Sequence, residues 1–263
     1  KSIFWWEWGH RFLGRIVGVV FALPLLVFWW RGWLRAGTAG KYAGLFALGA
    51  IQGAIGWYMV ASGLSERVSV SQYRLALHLS GALAIFALLV WLALDERRAR
   101  LGGSPGIVTG FVRAMAAVMF GLVFLQTVLG AFVAGLKAGL IYNTWPSMDG
   151  QFVPSDYWID GHGLMSFFEG HAAAQFNHRM MAYLLLAAAL VQTIAILRAG
   201  ATCAAKLSGF VLLLAVVAQA VIGILTLVWH VPLTLGVLHQ AGAVAVLGIA
   251  VWHLFAVNDA RKV

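Results

Sequence analysis

Four histidines in two matched settings are the residues of this chain best suited to chemistry. Glu7-Trp8-Gly9-His10-Arg11 stands at the head of one long apolar run, and Gln175-Phe176-Asn177-His178-Arg179 at the head of another. Each is followed by a second histidine within a later apolar run, in Leu77-His78-Leu79-Ser80-Gly81 and Leu238-His239-Gln240-Ala241-Gly242. A histidine in such a run is costly unless it is paired or has a task. Four of them in two repeated pairs point to two sites built alike. Zinc asks for three or four His, Cys or carboxylate ligands at one point. Two imidazoles on facing helices better suit the two axial positions of a haem iron. For any single histidine, a hydrogen bond to a neighbouring helix is the plainer alternative.

The neighbours agree with a haem. Residues three or four positions on from a helical histidine share its face, and here they are small: Gly14, Gly81, Ala182 and Gly242. They leave room for a flat porphyrin, although plain helix packing uses small residues in the same way. Arg11 and Arg179 follow their histidines directly and are candidates for haem propionates or for snorkelling anchors. Glu7 precedes His10 by three positions, where Gln175 precedes His178. A carboxylate beside a haem edge can accept a proton or oppose a developing positive charge, or simply favour a helix N-terminus. An amide cannot act as a base, so the first pair is expected to react and the second to hold or pass electrons. His162, His171, His230 and His253 have no such counterparts and are expected to be structural or solvated.

Seven apolar runs would position these residues. The 263 residues are 62% hydrophobic and 10% charged, with a mean hydropathy of +0.88. Runs near 16–30, 42–64, 75–94, 107–136, 176–197, 207–229 and 233–257 are each long enough to cross a bilayer. The expected fold is therefore an all-α integral membrane protein of seven transmembrane helices. Gly102-Gly103-Ser104-Pro105-Gly106 is the best hinge. It divides the chain into residues 1–105, with three helices, and residues 106–263, with four. The repeated motifs make these halves a pseudo-symmetric pair of bundles, so an eighth helix with its outer loop is expected before Lys1.

The net charge of +9 does not indicate nucleic acid, because the cations cluster in short loops. Arg31, Arg35, Lys41, Arg97, Arg98, Arg100, Arg198, Lys206, Arg261 and Lys262 all fall on one side of the threaded chain, which is then cytoplasmic. The four paired histidines land toward the opposite side, with the long loop 137–175. The lone Cys203 excludes an internal disulfide and a cysteine-rich metal site.

At these residues the chain resembles the haem A synthase family, in its mitochondrial and alphaproteobacterial form. The resemblance runs through Glu7 to Arg11, Gln52-Gly53 with Gly56-Trp57-Tyr58-Met59-Val60, Val70-Ser71-Gln72-Tyr73-Arg74-Leu75, Gln126 to Gly135, Tyr142-Asn143-Thr144-Trp145-Pro146 with Met148-Asp149-Gly150, Gln175 to Arg179, and His239-Gln240. It covers nearly the whole chain, and the order and spacing of the motifs make it specific. It implies an eight-helix enzyme of the bacterial inner membrane that oxidises the C8 methyl group of haem O to a formyl group, giving haem A for cytochrome oxidase. It also implies that His10 and His78 flank the substrate haem on the periplasmic side, that His178 and His239 ligate a haem b cofactor, and that Glu7 is the catalytic acid, stabilising a cation at the oxidised methyl. Expected partners are haem O, the lipid bilayer, a haem O synthase, a membrane electron acceptor and a second copy of the chain. Some relatives carry a cysteine pair in an outer loop, and residues 137–175 here contain none. A di-haem b electron-transfer cytochrome and a haem transporter or chaperone are the rival readings.

Overall fold

Long apolar stretches in lipid must satisfy their own backbone groups, which favours unbroken helices. The computed structural model describes residues 2–63, 71–102, 107–258 and 261–262. In chain order the helices are α1 (Ser2–Trp30), α2 (Ala39–Gly63), α3 (Gln72–Leu101), α4 (Gly110–Gly135), the short α5 (Ser166–Glu169), α6 (His171–Arg198), α7 (Cys203–Val228) and α8 (Leu233–Asn258). Among the described residues, α1, α3, α4, α6, α7 and α8 are long and apolar enough to cross a membrane. The fold is that of an all-α integral membrane protein. The remaining expected span corresponds to α2, an unbroken helix of 25 residues diluted by glycines and Gln52.

The helices overrun the apolar cores that announce them. α1 begins at Ser2 and α6 at His171, so both Glu7–Arg11 and Gln175–Arg179 lie inside helix. The fourth run starts later than its apolar residues suggest. Ile107–Val108 forms a strand, β1, paired in parallel with β2 (Arg261–Lys262). Thr109 then caps α4 by accepting from the Val112 N–H at 3.3 Å. Thr202 caps α7 in the same way, from Ala205 N–H at 3.3 Å. The loop at 64–70 and the hinge at 103–106 lie outside the described residues.

Contacts divide the chain into two units, Lys1–Val70 and Ser71–Val263, each described by itself. In the first, α1 and α2 pack together, with Phe21 stacked on Phe46 at 6.2 Å. In the second, α4, α6, α7 and α8 form a bundle, and α3 lies against α4 and α8. Its core is a continuous apolar cluster containing Met119, Val123, Leu185, Leu212, Val216 and Leu247. Outward-facing apolar residues such as Leu184, Val191 and Leu214 are what a helix bundle in lipid presents.

The two ends of this bundle differ. At the end carrying Arg198 and Lys206, the wholly buried His253 is bracketed by Gln192 Nε2 at 2.8 Å and Ser208 Oγ at 2.9 Å. Gln192 also donates to the Val112 carbonyl at 3.0 Å. The imidazole on α8 thus ties α6 and α7 together, and Gln192 extends the tie to α4. The opposite end holds His178, His239 and the loop 136–170.

Candidate functional site

His178 of α6 and His239 of α8 face each other near the loop-covered end, with ring centroids 6.4 Å apart and planes at 82°. Two metal–imidazole bonds of about 2 Å plus two ring radii of about 1 Å span roughly 6 Å, the separation that a metal held between the two rings would need. The observed spacing matches that sum. Nδ1 of His178 is buried without a hydrogen-bond partner, a costly state that a metal would relieve. Among the described residues, no three His, Cys, Asp or Glu side chains converge to hold a metal ion. The pair offers two protein ligands, enough for a six-coordinate haem iron and too few for a structural zinc.

A neighbouring helix presses on each ring. A Cβ placed on Gly130 of α4 would come 3.2 Å from His178 Cε1, and one on Gly223 of α7 would come 2.8 Å from His239 Cε1. Four residues earlier on the same two helices stand Gln126 and Gln219. Gln126 Nε2 lies 3.3 Å from His178 Nε2 and donates to the His178 carbonyl at 3.1 Å. Gln219 Nε2 lies 3.1 Å from His239 Nδ1 and donates to the His239 carbonyl at 2.6 Å. Gly242 has a use different from the porphyrin clearance expected of it. Its missing Cβ leaves room for the Gln219 carboxamide, whose Oε1 that atom would strike. At Gly14 nothing lies within 4 Å.

Gln175 and Arg179 anchor the loop above this pair. Gln175 Nε2 donates to the carbonyls of Ala138 at 2.8 Å and Ile141 at 2.6 Å, and its Oε1 accepts from Arg179 at 2.8 Å. Arg179, buried, also donates to the carbonyls of Tyr142 at 2.7 Å and Ser147 at 3.3 Å. Its Nε–H is buried without a partner, so a buried cation keeps one donor in hand for an anion.

The loop is held by its own sequence. Asn143 donates to the carbonyls of Gly139 at 2.9 Å and of Leu227 in α7 at 2.8 Å. Thr144 Oγ1 accepts from the Asp149 N–H at 2.8 Å, closing a turn in which Asp149 and Gly150 adopt positive φ of 51° and 85°. The Tyr142 hydroxyl donates to the Asp156 carboxylate. That bond, then burial and the negative charges of Asp156 and Asp149, push the phenol up to about 12. Tyr157 donates to Asn177 Oδ1 at 3.0 Å and is raised by burial. Tyr157 and Phe176 pack edge to face at 5.5 Å, sealing the loop onto α6. Trp145, Pro146, Ser147, Gly150, Phe152 and Tyr183 line a shallow hollow on it.

In the other unit Glu7 and Arg11 form an i,i+4 ion pair at 3.1 Å, both about half exposed. This is the same pairing of first and fifth residues that Gln175 and Arg179 make. His10 lies on the face of Glu7 and is exposed. His78, on α3 of the larger unit, is half-buried. Gln126, Gly130, Gln219 and Gly223 were not singled out as site residues by the histidine pattern. The signal for them is a Gln-x-x-x-Gly spacing on α4 and α7, the long helices before α6 and α8.

The sequence pattern of the cytochrome oxidase assembly protein family matches residues 1–251. A protein of Parvibaculum lavamentivorans named heme A synthase is 49% identical over 254 residues, covering 97% of this chain and 72% of its own length. Proteins of the same name from Bradyrhizobium sp. ORS 278 and Rhodopseudomonas palustris BisB5 are 47% and 48% identical. They align with 95% of this chain, over 69% and 68% of their own lengths.

Proposed function

The chain belongs to the haem A synthase family of cytochrome oxidase assembly proteins, and from that premise we propose how its residues divide the work. It is a haem A synthase, an enzyme that oxidises the C8 methyl group of haem O to a formyl group. His178 and His239 would hold haem b, which supplies one-electron redox chemistry when bound. The observation that carries this assignment is the facing pair at 6.4 Å, with a buried unpartnered ring nitrogen and glycine beneath each ring. Arg179 would direct its spare Nε–H to a propionate. In the substrate half, His10 and His78 are assigned to haem O by their place in the repeat.

Glu7 is assigned the catalytic role. Its carboxylate, held by Arg11, opposes positive charge developing at the reacting methyl and can receive a proton there. Gln175 can do neither, because a carboxamide is neutral and not a base, and its Oε1 already accepts from Arg179. Residues 1–105 then form the substrate half and 106–263 the cofactor half of a pseudo-symmetric protein. Counting α2, seven helices would cross the bacterial inner membrane, with the histidines toward the periplasm. A haem O synthase, a membrane electron acceptor and a second copy of the chain are its proposed partners.

The test is spectroscopic. His178→Ala or His239→Ala should lose the six-coordinate low-spin haem b spectrum. An unchanged spectrum in both variants would move the cofactor elsewhere in the chain.

A further inference from the structure

The histidine pair is not left to orient itself. Gln126 and Gln219 stand at equivalent places on α4 and α7, each four residues before the glycine that the histidine ring presses on. Each carboxamide grips the main-chain carbonyl of its own histidine, at 3.1 Å and 2.6 Å, and reaches one nitrogen of that ring, at 3.3 Å and 3.1 Å. Amide, ring and glycine form a repeated clamp. The same Gln-x-x-x-Gly spacing occurs once more, as Gln52 and Gly56 in α2.

We propose that Gln126 and Gln219 are positioning residues for the haem ligands, accepting the N–H of the ring nitrogen that does not bind iron. This rests on the assignment of haem b to His178 and His239. A neutral imidazole that gives one lone pair to a metal carries its proton on the other nitrogen, and that N–H needs an acceptor. A carboxamide presents donors and an acceptor in nearly the same shape. A half-turn about its Cγ–Cδ bond, with a small shift away from the histidine carbonyl that Nε2 now donates to, turns Oε1 toward the ring. The histidine carbonyls it releases are inside helices and keep their backbone bonds. An acceptor on the distal N–H makes the ligating nitrogen more basic and fixes the plane of the ring.

The experiment replaces each glutamine by leucine, which keeps the bulk and removes the acceptor. It also replaces each by glutamate, which keeps the length and an acceptor oxygen in either protonation state. Haem retention, the ferric low-spin electron paramagnetic resonance signal and the midpoint potential are read on the purified whole protein. Gln126→Leu and Gln219→Leu should lose about 10–100-fold in haem affinity, shift the low-spin signal and raise the potential of the haem they keep. Gln126→Glu and Gln219→Glu should restore retention and a low-spin signal. The proposal is overturned if the leucine variants match the parent in signal and potential, or if the glutamate variants fail as the leucine variants do. A parent whose low-spin spectrum survives both His178→Ala and His239→Ala would instead overturn the haem assignment beneath it.

Discussion

Glutamate and glutamine differ at residues 7 and 175 in a way that geometry makes consequential. Gln175 donates both amide hydrogens to main-chain carbonyls, so a carboxylate there would set oxygen against oxygen. We expect Gln175→Glu to destabilise the protein by about 1–3 kcal/mol, the range for a buried group left unsatisfied, read as a lower Tm. The glycines beneath the rings should rank by distance. Gly223→Ala puts its new carbon at 2.8 Å from His239 and Gly130→Ala at 3.2 Å from His178, so the first should cost more bound haem than the second. Tyr142 gives a pH test. Its phenol titrates at an ordinary 10.0 when unfolded and at about 12 when folded. Between these values the unfolded chain loses a proton that the folded chain keeps. The stabilisation is therefore complete below pH 10 and is lost as pH rises toward 12. Tyr142→Phe should flatten that alkaline slope, measured by thermal unfolding across the window.

At the scale of elements, the bundle α4–α6–α7–α8 has two polar knots, one at each end. His253 with Gln192 and Ser208 fastens one end, and Gln126, Gln219, His178 and His239 occupy the other. His253→Leu should lower Tm while leaving the haem spectrum unchanged, because the two knots share no residue. At the opposite end, Asn143→Ala removes the tie between the loop and α7. It should raise hydrogen exchange in residues 137–170 without changing exchange in the core helices.

The long apolar runs and their histidines are legible because each is a strong local signal, period and polarity read together. Where helices begin is less legible, since capping by Thr109 depends on one side chain rather than on hydrophobicity. The glutamine clamps are invisible to a search by polarity. A glutamine in an apolar helix shows its use only when the neighbouring helix, and the histidine on it, are in place. Gly242 is the converse case, a small residue whose neighbour proves to be a side chain of α7.

In the larger unit Arg198 and Lys206 lie at the end of the bundle opposite His178 and His239, the separation expected if cations stay on the side from which a membrane chain is inserted. On the proposed assignment the second half would hold haem beneath a folded loop, and the first half has the only carboxylate in either histidine motif. In the proposed division of work, Glu7 stabilises the cation at the methyl being oxidised, while His178 and His239 hold the haem that supports the reaction. The most direct measurement is haem extraction and mass analysis from membranes containing either the parent or Glu7→Gln, each supplied with haem O. Haem A is expected from the parent, and from Glu7→Gln haem O alone with a normal low-spin haem b spectrum. Haem A at parental yield from Glu7→Gln would contradict that division of work.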